Sequence, residues 1–267
     1  MRGEGPPLVF AYGIACLMNH WHHQINYFSK HYQTIIIDYR GHHFSDIPED
    51  KRNLTLEALS KDILCLCDHL EIEKAFFLGH SFGCEVLLES YFMRPQLFSG
   101  LCFVSGFFSN PFQNFLTPEQ LRDVFSYIRM AYNTAPGLMS TVWKFGVTNP
   151  ASVFLSSLVG GFNLEKTALK DIEIYAQGVA NIDLRVFVTL LEQLTQFDGR
   201  PKLAQIEVPT LVIAGDKDAL TPIQVQKTMY AEIPNCDLLI IETGSHCVQL
   251  DFPHEVNTKI DEFLKGL

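Results

Sequence analysis

The stretch KAFFLGHSFGCEVLLESYFMRPQL, residues 74–97, decides the fold. Residues 74–78 form a short apolar run that predicts a strand, and residues 84–93 carry apolar side chains at helical spacing with no helix breaker before Pro95. Between them stands Gly79-His80-Ser81-Phe82-Gly83, a G-x-S-x-G pattern. This pattern is typical of a sharp, strained turn that holds a serine hydroxyl above the end of a parallel sheet. We expect side chains at the two glycine positions to collide with the neighbouring backbone.

The composition indicates a globular protein with an acidic surface. The 267 residues are 47% hydrophobic, and 20 Lys and Arg stand against 30 Asp and Glu. This balance argues against nucleic acid or an anionic membrane as a partner. No apolar run approaches the length of a membrane span, and the opening MRGEGPPLVF lacks the pattern of a secretory signal. The expectation is a cytoplasmic protein with neither nucleic acid nor membrane as a partner.

Cysteines and histidines give no recognisable metal motif. The seven cysteines are scattered through mostly apolar segments, which is typical of reduced thiols in a core. Cys65 and Cys67 are two apart in a predicted helix and therefore point away from each other. Five histidines cluster in sequence, but no nearby carboxylate or cysteine completes a site. We expect these to be solvated or packing residues: His20, His22, His23, His42 and His43.

Strand and helix patterns alternate along most of the chain, which predicts an α/β protein with a mainly parallel sheet. The predicted strands are 8–12, 34–39, 74–78, 101–105, 209–215 and 238–242, and the predicted helices of this part are 20–30, 54–70, 84–93, a helix ending near 233, and 253–264. Thr221-Pro222-Ile223-Gln224 reads as a capping box that starts the helix ending near 233.

The alternation stops between residues 107 and 200, where only helical patterns occur. Thr117-Pro118-Glu119-Gln120 is a second capping box, and the long segment 166–197 is expected to break near Gly178. We therefore divide the chain into a core, residues 1–106 and 201–267, and a helical cap, residues 107–200. Such an insertion is typical of a lid over a site at the sheet edge, and the alternative is that it merely extends the core.

Ser81 needs a base to take its proton, and that base needs an acceptor to fix its tautomer. Asp218 follows the strand PTLVIAG and His246 follows the strand LLIIE, so all three residues are expected at the carboxyl edge of one sheet. Asp216 is close enough to replace Asp218 or to cap the turn. Three further residues near these positions are not expected to be catalytic: His80 fills the turn, Asp38 makes hydrogen bonds at a strand end, and Cys84 packs in the core.

Over nearly its whole length the chain resembles an α/β-hydrolase of the serine-nucleophile type, with a helical cap like that of small esterases. Residues 40–46, RGHHFSD, resemble R-G-x-G-x-S-D, residues 215–218 resemble G-x-x-D, and residues 246–253 resemble H-x-x-x-x-[DE]-x-P. The resemblance implies a catalytic triad of Ser81, Asp218 and His246, with no metal or cofactor. It also implies an oxyanion hole made by the backbone N–H groups of Ile14 and Phe82.

Three departures from the family pattern stand out. Tyr12 occupies the place of a histidine before Gly13, and His43 replaces a glycine, so the rim of the pocket is expected to be unusual. The residues before Leu8 resemble those that precede the family's third strand, so the first two strands are expected to be missing. The sheet would then begin at residues 34–39 with an uncovered apolar edge. Such an edge favours pairing between two copies of the chain, so we expect a homo-oligomer.

The resemblance implies cleavage of a carboxylic ester or thioester through an acyl-serine intermediate. A serine at the elbow, in place of aspartate, argues against epoxide hydrolase or haloalkane dehalogenase chemistry. The alternative function is a ligand-sensing or partner-binding protein that keeps the triad and turns over slowly. Aromatic residues of the cap favour a small apolar substrate, although aromatic residues at helical spacing more often belong to a core: Phe107, Phe108, Phe112, Phe115, Phe125 and Trp143.

Overall fold

Six parallel strands form one sheet in the computed structural model, which describes residues 1–112 and 116–267. Its order is β2-β1-β3-β4-β5-β6. The strands are β1 (Pro7–Ala11), β2 (Gln33–Ile36), β3 (Ala75–His80), β4 (Phe98–Val104), β5 (Thr210–Gly215) and β6 (Cys236–Ile241). No strand precedes β1 among the described residues. The central strands β3 and β4 are buried on both faces, as expected for a parallel sheet covered by helices.

Eleven α-helices are present in the described part of the chain, six of them in the core and five between β4 and β5. The core helices are α1 (His22–Phe28), α2 (Leu56–His69), α3 (Phe82–Met93), α9 (Ile223–Glu232), α10 (Val248–Asp251) and α11 (Pro253–Lys265). The others are α4 (Pro118–Thr134), α5 (Pro136–Thr148), α6 (Pro150–Leu158), α7 (Leu169–Asn181) and α8 (Leu184–Gln196). The short α10 has no counterpart among the predicted elements.

The edge strand β2 differs from its prediction in two ways. It ends at Ile36 rather than Tyr39, because the Tyr39 N–H leaves the ladder and donates to the Tyr12 hydroxyl at 3.0 Å. The predicted uncovered edge is also wrong at one position. Arg2 and Thr34 exchange two backbone hydrogen bonds of 3.0 and 2.8 Å, so the amino-terminal segment covers the middle of this edge.

The helices α4–α8 form a cap-like region at the carboxyl end of the sheet. Thr117 and Gln120 make the predicted capping box at the start of α4. The predicted break in the segment 166–197 is present, but it lies at residues 182–183 and not near Gly178, which is inside α7. There the Asp183 side chain accepts the Arg185 N–H and caps α8. Phe115, one of the aromatic residues expected in the cap, lies outside the described residues.

No single helix in the described ranges is long and apolar enough to cross a membrane. The pair α7 and α8 reaches that length and composition only when the two helices are joined, and they are bent by 98°.

Candidate active site

The turn between β3 and α3 presents Ser81 at the carboxyl edge of the sheet. Ser81 has φ 53° and ψ −124°, a strained conformation for a residue with a side chain. Glycine is required beside it: a Cβ at Gly83 would lie 2.3 Å from the Ala11 carbonyl oxygen, and one at Gly79 would lie 3.0 Å from the Cys84 backbone. The predicted collision at both glycine positions is confirmed. The turn is thus wedged against β1, which keeps the hydroxyl in one place.

Ser81, His246 and Asp218 lie in one hydrogen-bonded row. His246 Nε2 is 2.9 Å from Ser81 Oγ, and His246 Nδ1 is 2.9 Å from Asp218 Oδ2. Because a carboxylate only accepts, the proton of the neutral ring sits on Nδ1 and leaves Nε2 free to accept the serine proton. Asp216, the alternative acceptor, instead faces Lys217, whose Nζ is 3.1 Å away.

The Asp218 carboxylate is held by the turn that follows it. Its Oδ1 accepts the N–H groups of Leu220 and Thr221 at 2.9 and 2.8 Å, and its Oδ2 lies 2.5 Å from the Thr221 hydroxyl. The predicted capping box at Thr221 is therefore wrong: α9 starts at Ile223 without a side-chain cap. The Thr221 hydroxyl turns toward Asp218 and the Ser105 carbonyl, 3.1 Å away. The sequence signal for this arrangement is an Asp followed three residues later by a Thr, because the aspartate side chain can then accept from the threonine N–H and hydroxyl.

His246 is positioned from both sides of its backbone. Its N–H donates to the Gly160 carbonyl at 2.7 Å, and its carbonyl accepts from His80 Nε2 at 2.9 Å. Burial lowers the pKa of His80 well below its usual range, so the ring is neutral and its only proton lies on Nε2. His80 Nδ1 is then an acceptor, and it lies 3.1 Å from His20 Nε2. The sequence-based interpretation gives His80 no role beyond occupying the turn. In the structure, His80 holds the backbone carbonyl of His246 in place.

The segment Gly13–Ile14 passes close to Ser81, since a Cβ on Gly13 would lie 3.3 Å from the Ser81 Cβ. Phe82 is the first residue of α3, so its N–H is a free donor at the helix start. Among the described residues no acceptor pairs with the N–H of Ile14 or of Phe82. Both donors are thus available beside the serine.

The two unusual rim residues have structural roles. The Tyr12 hydroxyl is buried and donates to Asp38 Oδ1 at 3.0 Å, which confirms strand-end hydrogen bonding for Asp38. His43 has φ 42°, in the left-handed region, where a glycine is favoured, and its Nε2 lies 2.9 Å from the Cys16 carbonyl. Cys84 is fully buried, as core packing predicts.

Most described aromatic residues of the cap belong to packed clusters. Phe125 is buried with Leu121 of α4 and with residues of α8, and Trp143 packs against Phe187 with the ring centroids 4.8 Å apart and the planes tilted by 42°. Phe107 and Phe108 line a cavity of about 570 Å³ beside Thr221, and Ser81 is not in its lining. The core interpretation is thus correct for Phe107, Phe108 and Phe125, which are buried in hydrophobic clusters, while Phe112 and Trp143 are partly buried against those clusters.

Residues 6–253 match the family described as alpha/beta hydrolase fold. The chain belongs to the α/β-hydrolase family. The expected family, and the fold of a parallel sheet with helices on both faces, are confirmed. Membership of this family indicates that the protein is a hydrolase.

Known α/β-hydrolases share the full length of the chain at low identity. A 3-oxoadipate enol-lactonase from Acinetobacter baylyi is 27% identical, over 99% of this chain and 90% of the relative. Epoxide hydrolase 4 of Homo sapiens is 24% identical, over 99% of this chain and 73% of the relative. A hydrolase structure from Oleispira antarctica has a TM-score of 0.80 at 20% identity and covers 100% of this chain and 93% of that one. That structure shows likeness of fold alone.

Proposed function

We propose that this α/β-hydrolase cleaves a carboxylic ester or thioester through an acyl-serine intermediate. The observation that carries the proposal is the row from Ser81 through His246 to Asp218, with 2.9 Å at each of its two contacts. A serine hydroxyl becomes nucleophilic when an oriented imidazole removes its proton, and this arrangement supplies both the base and its orienting carboxylate.

The proposed reaction has two halves. Ser81 Oγ attacks the acyl carbon while its proton passes to His246 Nε2, and the carbonyl oxygen gains negative charge between the N–H groups of Ile14 and Phe82. The imidazolium then protonates the leaving alcohol or thiol. Water, deprotonated by the same nitrogen, releases the acid and regenerates the serine. Each oxyanion donor contributes about 3 kcal/mol in such transition states.

The enol-lactonase relative acts on a lactone, which is a cyclic ester and fits this scheme. The epoxide hydrolase relative acts, by its name, on a different bond. The serine at the elbow favours the ester because attack on an acyl group yields an intermediate that water can open with the serine regenerated.

The test uses a serine-reactive fluorophosphonate, with the labelled site mapped by mass spectrometry. We expect labelling at Ser81, loss of nearly all turnover of a short activated ester in Ser81→Ala, and a loss of about 10⁴ in Asp218→Asn. Asp216→Asn is the matched control and should retain activity. Full activity of Ser81→Ala would refute the mechanism. Labelling of Ser81 without turnover of any ester or thioester would favour the slow, ligand-sensing alternative.

A further inference from the structure

A second cluster of reactive side chains lies away from the triad, where the core meets the cap-like region. His22 and His23 begin α1 in the core, and Asp171 lies in the first turn of α7. His22 Nε2 is 3.5 Å from Asp171 Oδ1, and His23 Nε2 is 3.2 Å from Asp171 Oδ2. All three donor atoms lie within 4.8 Å of one another. No carboxylate lies near these histidines in the sequence, but in the structure Asp171 of the distant helix α7 lies beside them.

The protonation of His22 follows from its other ring nitrogen. His22 Nδ1 lies 2.9 Å from the Asn19 carbonyl oxygen, which can only accept, so Nδ1 carries a proton. In the neutral ring Nε2 is then a lone pair that faces a carboxylate oxygen. Two acceptors at this distance repel unless a cation lies between them. The cation is either a second ring proton or a metal ion.

Three features favour the metal ion. A histidine that binds a metal through one nitrogen commonly donates from the other to a backbone carbonyl, as His22 does to Asn19. Metal–ligand distances of about 2.0–2.2 Å place neighbouring ligands of a tetrahedral site about 3.3–3.6 Å apart. The two observed nitrogen–oxygen separations, 3.5 Å to Oδ1 and 3.2 Å to Oδ2 of Asp171, are close to this range, although each histidine faces a different carboxylate oxygen. The His22 and His23 side chains are 25% and 33% exposed, so a fourth position is open to water.

We propose that His22, His23 and Asp171 form a binding site for a divalent transition metal of the Zn²⁺ class, with a solvent molecule as the fourth ligand. Two imidazoles and one carboxylate are a donor set that Zn²⁺ accepts readily. Because the ligands come from α1 and α7, the ion cross-links the core to the cap-like region. The site is separate from Ser81 and does not depend on the hydrolase mechanism.

The test measures Zn²⁺ binding to the full chain after chelator treatment and dialysis. We expect wild type to bind Zn²⁺, with a rise in Tm of about 5–10 °C at a hundredfold excess over Kd. Asp171→Asn, which keeps the side-chain volume, and His23→Ala should each weaken binding about tenfold or more and abolish the thermal shift. His254→Ala removes an exposed histidine elsewhere and should bind as wild type does.

Cobalt and NMR give independent readouts if one variant fails to fold. Co²⁺ at this site should show the visible absorption of a tetrahedral ion, and nitrogen shifts should assign metal to His22 Nε2 and the proton to Nδ1. Equal binding by wild type, Asp171→Asn and His23→Ala would overturn the proposal. So would a doubly protonated His22 ring together with the absence of any Zn²⁺ effect on Tm, because the cluster would then be a simple ion pair.

Discussion

At the scale of single residues, Thr221 stands out because it holds the carboxylate of Asp218, the acid of the proposed triad, through two hydrogen bonds. Its hydroxyl contacts Asp218 Oδ2 at 2.5 Å, and its N–H binds Oδ1. His246 Nδ1 is also within 3.4 Å of this hydroxyl. The threonine therefore limits how far the carboxylate can rotate away from the imidazole.

Thr221→Val should lower kcat about tenfold to a hundredfold with little change in KM, because a hydrogen bond to a charged group contributes about 1.5–3 kcal/mol. Thr221→Ser restores the hydroxyl and should recover most of the rate. The measurement is steady-state kinetics on the ester that wild type cleaves best. A change in KM alone, or no rescue by serine, would contradict a positioning role.

His42 couples stability to pH. Its Nε2 accepts the Ala15 N–H at 3.2 Å, and burial lowers its pKa from the usual value of 6.5 to about 4. The folded state therefore holds His42 neutral while the unfolded chain binds a proton below pH 6.5. This contribution to stability is present above pH 6.5 and is lost as pH falls toward 4, by roughly 1.4 kcal/mol per pH unit.

His42→Gln keeps an acceptor and removes this titration, so its free energy of unfolding should fall less steeply than that of wild type between pH 6.5 and 4.5. Urea unfolding at several pH values measures the difference. The comparison must be between the two proteins, because burial raises the pKa of Glu85 and gives a dependence of opposite sign. Parallel curves would contradict a neutral buried His42.

At the scale of elements, the junction of β3 and α3 tolerates no side chain at Gly83. We expect Gly83→Ala to be poorly folded, since its Cβ would lie 2.3 Å from the Ala11 carbonyl and push α3 off β1. Gly146, inside α5, has nothing within 4 Å of the same added atom. Gly146→Ala should therefore gain about 1 kcal/mol from helix propensity. Thermal unfolding of both variants provides the comparison, and similar Tm values would contradict the steric argument.

The sequence could predict elements whose signal is local. Strand, elbow and helix at residues 74–97 follow from periodicity and two glycines, and Asp218 and His246 follow from strand ends. Contacts between distant segments carry no such signal, so the links from His80 to His246 and from His23 to Asp171 were missed. The break after α7 was misplaced because Gly178 packs against Leu17, while the effective signal was Asp183 as a helix cap.

At the scale of the whole molecule, Asp251 connects the loop that carries His246 to the cap-like region. Its Oδ2 accepts the Ser245 N–H at 2.7 Å, and its Oδ1 accepts the hydroxyl of Thr167, which precedes α7. Burial raises the pKa of this carboxyl, so these donors are what compensate for the lost hydration. The acidic position of the H-x-x-x-x-[DE]-x-P pattern thus serves the contact between the two regions.

Thr167→Val removes the hydroxyl at nearly constant volume and should lower the free energy of unfolding by about 1–3 kcal/mol, because a buried acceptor loses its donor. Thr228→Val is the control, since the Thr228 hydroxyl bonds, among the described residues, only the Gln224 carbonyl of its own helix, on the exposed side of α9. That change should stay within about 0.5 kcal/mol. Urea unfolding measures both, and equal losses would show that the contact with Asp251 adds nothing.

The strand order β2-β1-β3-β4-β5-β6 has a consequence for how the protein is made. If the strands join the sheet in the order of their synthesis, each strand from β3 onward adds to an open edge, and no finished pair has to reopen. The elbow around Ser81 needs only β1, β3 and α3, whereas His246, the proposed base, follows β6 in the chain. A chain that stops before residue 246 would keep the elbow serine but would lack the imidazole of the proposed row.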